Sequence, residues 1–169
     1  MKQKILSSIF LIIIATAFSG CGIYSFSGAS ISPDTKTISI HYFPNRASIV
    51  QPSLSQSFTE ALRDKFMSQT RLDLVADDGD LDISGEIVSY STQPVAIQGN
   101  DAAALNRLTI TVKVKFINQK DPKQNFETPL SRFAQYESSR NLKEVEDQLI
   151  KQINTELVED IFNRTVVNW

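Results

Sequence analysis

The stretch Leu108-Thr109-Ile110-Thr111-Val112-Lys113-Val114-Lys115-Phe116 decides the fold. Apolar and polar residues alternate through it without a break, and a period of two belongs to a strand with one face buried and the other wet. Upstream, Leu81, Ile83, Gly85 and Ile87 share one face of a second strand. The segment from Val95 to Ala104, made of small and turn-forming residues, reads as the loop between them. Downstream, Asn118 to Gln124 makes a polar turn, and residues 126–137 form a further strand. Pro129 is expected to force a bulge there, because proline cannot donate to a ladder.

Further out the pattern changes period. Leu54, Phe58, Ala61, Leu62 and Phe66 fall on one side of a helix from about Pro52 to Ser68, with Pro52 in its first turn, where the missing N–H goes unpaired anyway. A second helix opens at Asn141, with Glu144 placed as in a capping box. Its stripe runs Leu142, Val145, Leu149, Ile153, Leu157 and Ile161, widened by Ile150 and Phe162. Before the first helix, Ile38, Ile40 and Tyr42 alternate with Thr37, Ser39 and His41 as a half-buried strand that Pro44-Asn45 ends. Leu72 and Leu74 suggest a short strand, and Asp77-Asp78-Gly79-Asp80 a tight turn. Strands grouped apart from helices predict an α+β domain: two helices packed on one face of a mostly antiparallel sheet of four to five strands.

The N-terminus carries a different message. Lys2 and Lys4 precede an apolar run from Ile5 to Phe18, about 14 residues and short of the roughly 20 that a membrane-spanning helix needs. The run exits through Phe18-Ser19-Gly20-Cys21, small residues before a cysteine, although Phe18 stands where leucine is usual. Residues 1–20 are therefore expected to be a signal peptide and Cys21 the acylated N-terminus of the mature chain. Cys21 is the only cysteine, so no intramolecular disulfide and no thiolate metal site can form. Acyl chains contribute about 0.8 kcal/mol per buried methylene, so two or three of them hold a protein on a membrane. The sequence divides into 1–20 signal peptide, 21–35 lipidated tether and 36–169 single α+β domain. Tyr24, Phe26 and Ile31 are too apolar for a plain spacer and are expected to dock on the domain, on a partner or at the bilayer interface, with protein favoured.

Two of the 17 basic residues and none of the 19 acidic ones lie in the leader, which leaves a net charge of −4. An acidic chain is poorly suited to nucleic acid, and no nucleic-acid partner is expected. Nor does the sequence offer chemistry. His41 is the only histidine, on the solvent side of its strand by alternation, and no Gly-x-Ser-x-Gly elbow accompanies it. Asp77, Asp78, Asp80 and Asp82 miss the calcium-loop spacing: counted from Asp77, the sixth residue is Asp82 and the twelfth Val88, where glycine and glutamate are needed. No enzyme, cofactor or metal is expected. Lys113 and Lys115, with Arg107 just before the strand, are candidates to contact an anionic lipid head group. The plainer reading is a solvated strand face, since surface lysines are ordinary and guard sheet edges.

Several stretches taken in order carry a resemblance. They are Cys21-Gly22-Ile23-Tyr24-Ser25-Phe26-Ser27-Gly28, Thr37-Ile38-Ser39-Ile40, Tyr42-Phe43-Pro44-Asn45, the helix from Leu54 to Phe66, and the ending Val158-Glu159-Asp160-Ile161-Phe162-Asn163-Arg164. Together they resemble the lipopolysaccharide-assembly lipoprotein family, LptE, in the form found in the Bacteroidetes, over nearly the whole mature chain. The resemblance implies two helices on a four-stranded sheet and an anchor in the inner leaflet of the outer membrane, on the periplasmic side. It implies a plug in the lumen of the β-barrel translocon LptD, which the family helps to fold and to insert lipopolysaccharide into the outer leaflet. Under it Arg107, Lys113 and Lys115 become candidate lipopolysaccharide contacts. Two rivals are a lipid-anchored periplasmic carrier or chaperone for an amphiphile, which would need an apolar cavity, and an anchored enzyme, which would need a cleft with converging polar groups.

Overall fold

A computed structural model describes residues 31–95 and 104–167. The leader, Cys21, Tyr24, Phe26 and most of the loop expected at 95–104 lie outside the described residues. The elements are β1 (Thr37–Ile40), α1 (Leu54–Gln69), β2 (Asp73–Val75), β3 (Leu81–Val95), β4 (Leu105–Asn118), a 3-10 turn (Pro122–Gln124), β5 (Phe126–Glu137) and α2 (Leu142–Phe162), which runs into a π-helical turn (Asn163–Val167). They form one five-stranded sheet in the order β2-β1-β3-β4-β5. The pairings of β3 with β4 and of β4 with β5 are antiparallel, while β1 runs parallel to both β2 and β3. The sheet is thus mixed but mostly antiparallel, and the α+β architecture is as expected.

The alternation of β4 does what its sequence says. Leu108, Ile110, Val112, Val114 and Phe116 are fully buried beneath the helices. Thr109, Thr111, Lys113 and Lys115 stand on the opposite, open face. Both helices cover the same side and pack on each other, with Phe66 edge-on to Phe162 at 5.1 Å and Lys65 paired with Glu159 at 2.5 Å. Asn141 caps α2 by accepting from the Lys143 N–H at 3.1 Å. For α1 the cap comes from an unforeseen residue. The helix starts at Leu54, two residues after Pro52, and Gln51 Oε1 accepts from the N–H groups of Ser53 and Leu54 at 2.7 and 3.1 Å.

Two expectations are corrected. Tyr42 does not continue the buried row of β1: it is 56 % exposed, whereas Phe43 is fully buried. The strand ends at Ile40, and the chain bends before it rejoins β3 through Ile87 N–H to Pro44 O at 2.9 Å and Arg46 N–H to Ile87 O at 2.8 Å. The bend turns Phe43 inward over Gly85, where a Cβ would lie 2.5 Å from its ring. Nor does Pro129 force a bulge, for β5 pairs with β4 in unbroken register. The N–H of Ser138 donates to Ala104 O at 2.9 Å, so even-numbered residues of β5 point their N–H groups at β4 and odd-numbered ones point away. Pro129 is odd, and its missing N–H costs no ladder bond. The irregularity of the sheet lies between Ile87 and Ser89 instead.

The connection from β2 to β3, residues 76–80, crosses the open face of β1. A parallel crossover ordinarily takes about a dozen residues; this one takes five. A Cβ on Gly79 would lie 2.5 Å from Ser39 N and 2.8 Å from Ile38 C, so only glycine lets the strap rest on the backbone of β1. The left-handed residue of the expected turn is Asp78, at φ 56. Asp80 closes the strap: its carboxylate accepts from the N–H groups of Lys36 and Thr37 at 2.8 and 3.1 Å, and its own N–H donates to Thr37 Oγ1 at 2.9 Å.

Candidate functional site

The open face of the sheet is polar from strand to strand. Ser89, Thr111 and Ser131 align across β3, β4 and β5, as do Ser91 and Thr109 beside Phe133. Thr111 Oγ1 donates to Ser131 Oγ at 3.0 Å. Lower on this face, Lys113 and Glu127 form an ion pair at 2.5 Å. Their hydrogen bond holds the Lys113 ammonium above its ordinary value and the Glu127 carboxyl below its own. Both lysines border a shallow hollow with Ser84, Gly85 and Glu86. Arg107 lies higher, its guanidinium 4.2 Å above the Phe133 ring and its Nε buried without a hydrogen-bond partner. All three cations singled out in the sequence thus share one face, but Arg107 stands apart from the lysines along β4.

His41 stands on the same face beside the strap. Its Nε2 lies 2.6 Å from Asp82 Oδ2, which also accepts from Ser39 Oγ at 2.5 Å, and its Nδ1 lies 3.9 Å from Asp77. Histidine and serine both reach the carboxylate and not each other, so this is no nucleophile and base pair. The aspartates share no common focus: Asp80 binds backbone and Lys120, while Asp82 and, at a longer distance, Asp77 face His41. Among the described residues no three His, Cys, Asp or Glu side chains are placed to hold a metal ion.

A second surface lies at the base of the molecule, where β5 begins and α2 ends. An open cleft of about 740 Å³ is lined by Lys123, Phe126, Leu130, Arg132, Asp160 and Arg164. Arg164 stacks 4.8 Å over Phe126, and Arg132 grips Asp160 with two hydrogen bonds of 2.6 Å. Nothing in the sequence pointed here, because Arg164 and Phe126 are brought together only when α2 packs along β5. Ile31 also sits at this end, partly buried against the core.

The sequence profile described as LptE, lipopolysaccharide-assembly, matches residues 35–165. The chain belongs to the LptE family. The match takes in all five strands and both helices, so membership places the whole described domain among lipopolysaccharide-assembly lipoproteins. No curated protein matches the chain. Among solved structures, the hypothetical protein CT253 from Chlamydia trachomatis is similar at a TM-score of 0.53 and 10% identity, over 79% of this chain and 99% of that one, and shares the fold. The minor lipoprotein from Acinetobacter baumannii aligns at 0.46 and 14% identity, over 77% and 91% of the two chains. Rare lipoprotein B from Shewanella oneidensis aligns at 0.46 and 10%, over 75% and 92%. No helix among the described residues of this LptE-family chain is long and apolar enough to cross a membrane.

Proposed function

We propose that this chain is an outer-membrane lipoprotein that plugs the lipopolysaccharide-translocating β-barrel, LptD, from the periplasmic side, assists its assembly and helps insert lipopolysaccharide into the outer membrane. The family match over residues 35–165 carries the reading. In it, residues 1–20 are removed, Cys21 is acylated, residues 21–35 are the tether and residues 36–169 form the plug. The hydroxyl-rich open face supports it, because the lumen of a large membrane barrel is polar and a plug must match it. Arg107, Lys113 and Lys115 on that face are the proposed contacts for the anionic groups of lipopolysaccharide. The role asks for no catalytic residue and no cofactor.

The test is affinity purification of the chain from native outer membrane in mild detergent. A large β-barrel protein is expected at near 1:1 ratio, with acylated Cys21 as the N-terminus by mass spectrometry. Recovery of the chain without a barrel protein overturns the plug reading. Recovery with a bound amphiphile and no barrel protein supports a carrier instead.

A further inference from the structure

The two edges of the sheet are unequal. β2 has three residues, and β5 has twelve. A long edge is a template for pairing with another chain unless lysines, prolines, bulges or a covering element guard it. In β5 the odd-numbered residues turn their N–H and C=O groups outward, as the Ser138 to Ala104 bond requires. Pro129 withholds an outward donor from the lower half. Above it Ser131, Phe133, Gln135 and Glu137 each turn an N–H outward, and all four residues are exposed. Beside this half-edge Phe133 lies 48 % exposed on the open face, under the Arg107 guanidinium.

We propose that the Ser131–Glu137 edge pairs antiparallel with the same edge of a second copy of this chain, about a two-fold axis beside Ala134. In that register Ser131 faces Glu137 of the second copy and Phe133 faces Gln135, so every outward N–H of both strands meets a carbonyl. Pro129 falls one pair beyond and ends the ladder. No like charges oppose each other, since Arg132 faces Tyr136 and Glu137 faces Ser131. The two Phe133 rings become diagonal neighbours across the axis, within reach of each other, and cover the apolar surface that each copy exposes alone. Other registers are worse. A slide of two residues toward the base sets Pro129 opposite Glu137 and loses a donor. A slide of four sets Arg132 against Arg132 and Glu127 against Glu137, and like charges directly opposite destabilise a pair. The contact is isologous and closes on itself, joining two five-stranded sheets into one.

This pairing is a property of the free chain and does not rest on the barrel reading. It is tested by sedimentation equilibrium of the full chain, freed of other proteins, in density-matched mild detergent. Twice the monomer mass is expected, with slowed amide exchange at Ser131, Phe133, Gln135 and Glu137 as concentration rises. The double variant Ser131→Pro/Gln135→Pro removes outward donors and no backbone bond to β4, giving up the Ser131 hydroxyl contacts with Thr111 and Ile110, and is expected to sediment as a monomer. Phe133→Lys leaves the backbone intact, crowds four cations about the axis, and is expected to do the same even if the proline variant fails to fold. A wild-type chain that stays monomeric overturns the proposal, as does a Phe133→Lys chain that still pairs.

Discussion

The two halves of the sheet are held by different means. In the hairpin half, β3, β4 and β5 are long, pair with their neighbours in sequence, and rely on backbone ladders over an alternating core. In the crossover half, β1 and β2 have four and three residues. There the ladders are too short to suffice, and side chains finish the work: Asp80 binds the backbone of Lys36 and Thr37, Ser39 ties Asp82 to the strap, and Gly79 lies against bare backbone. The hairpin half tolerates changes that spare its apolar row, whereas the crossover half depends on a few atoms.

The largest effect is expected where the crossover half has no room. Gly79→Val places a side chain into the backbone of Ser39 and Ile38, and is expected to cost about 4 kcal/mol or more, read as a collapse of the thermal midpoint. In the hairpin half the apolar row is probed with a cavity. Ile110→Ala is expected to cost about 3 kcal/mol in urea unfolding, and a smaller loss than for Gly79→Val keeps the contrast intact. Asp80→Asn comes next, at about 1–2 kcal/mol for weakened bonds to two N–H groups.

Asp80 also sets a pH window. Its carboxyl is held at about 2, against an ordinary 3.8, chiefly by the Lys36 N–H and then by Lys120. A folded value below the unfolded one means stabilisation that is complete above the ordinary value and is lost as pH falls toward 2. Unfolding midpoints of Asp80→Asn followed down in pH are therefore expected to fall less steeply than those of wild type. The smallest effect belongs to the exposed pair on the open face: Lys113→Met is expected to leave the melting temperature unchanged, since such pairs are screened by water and salt. A clear drop there would mean that the open face contributes to stability as the crossover does.

The same contrast explains what could be read in the sequence. β3, β4 and α2 were legible because their periods repeat over many residues and each repeat votes for the same face. The crossover was not, because Asp80 meets Lys36 and Gly79 meets Ser39 across some forty positions with no periodic signature. Asp77 to Asp80 reads locally as a turn, and only the parallel placement of β2 and β3 on either side of β1 makes it a strap. Pro129 misleads for a related reason: whether a proline disturbs a strand depends on which way its nitrogen points and whether a neighbour lies there. On the candidate surface, alternation gives the shared face of Lys113 and Lys115, but not the place of Arg107 on it, its stacking on Phe133 or the cleft at Arg164.

The caged position of β1 has a mechanical consequence. The chain enters the domain at the base through Ile31, turns at Ser32–Thr35 and then runs into Thr37, so a pull on the N-terminal segment that opens this turn is delivered along the axis of β1. With a parallel neighbour on each side, that load must shear two ladders together instead of unzipping one bond at a time. The strap adds Gly79 and Asp80 as stops against sliding. Tension applied at the N-terminus thus meets a short strand that is braced from both sides and from above.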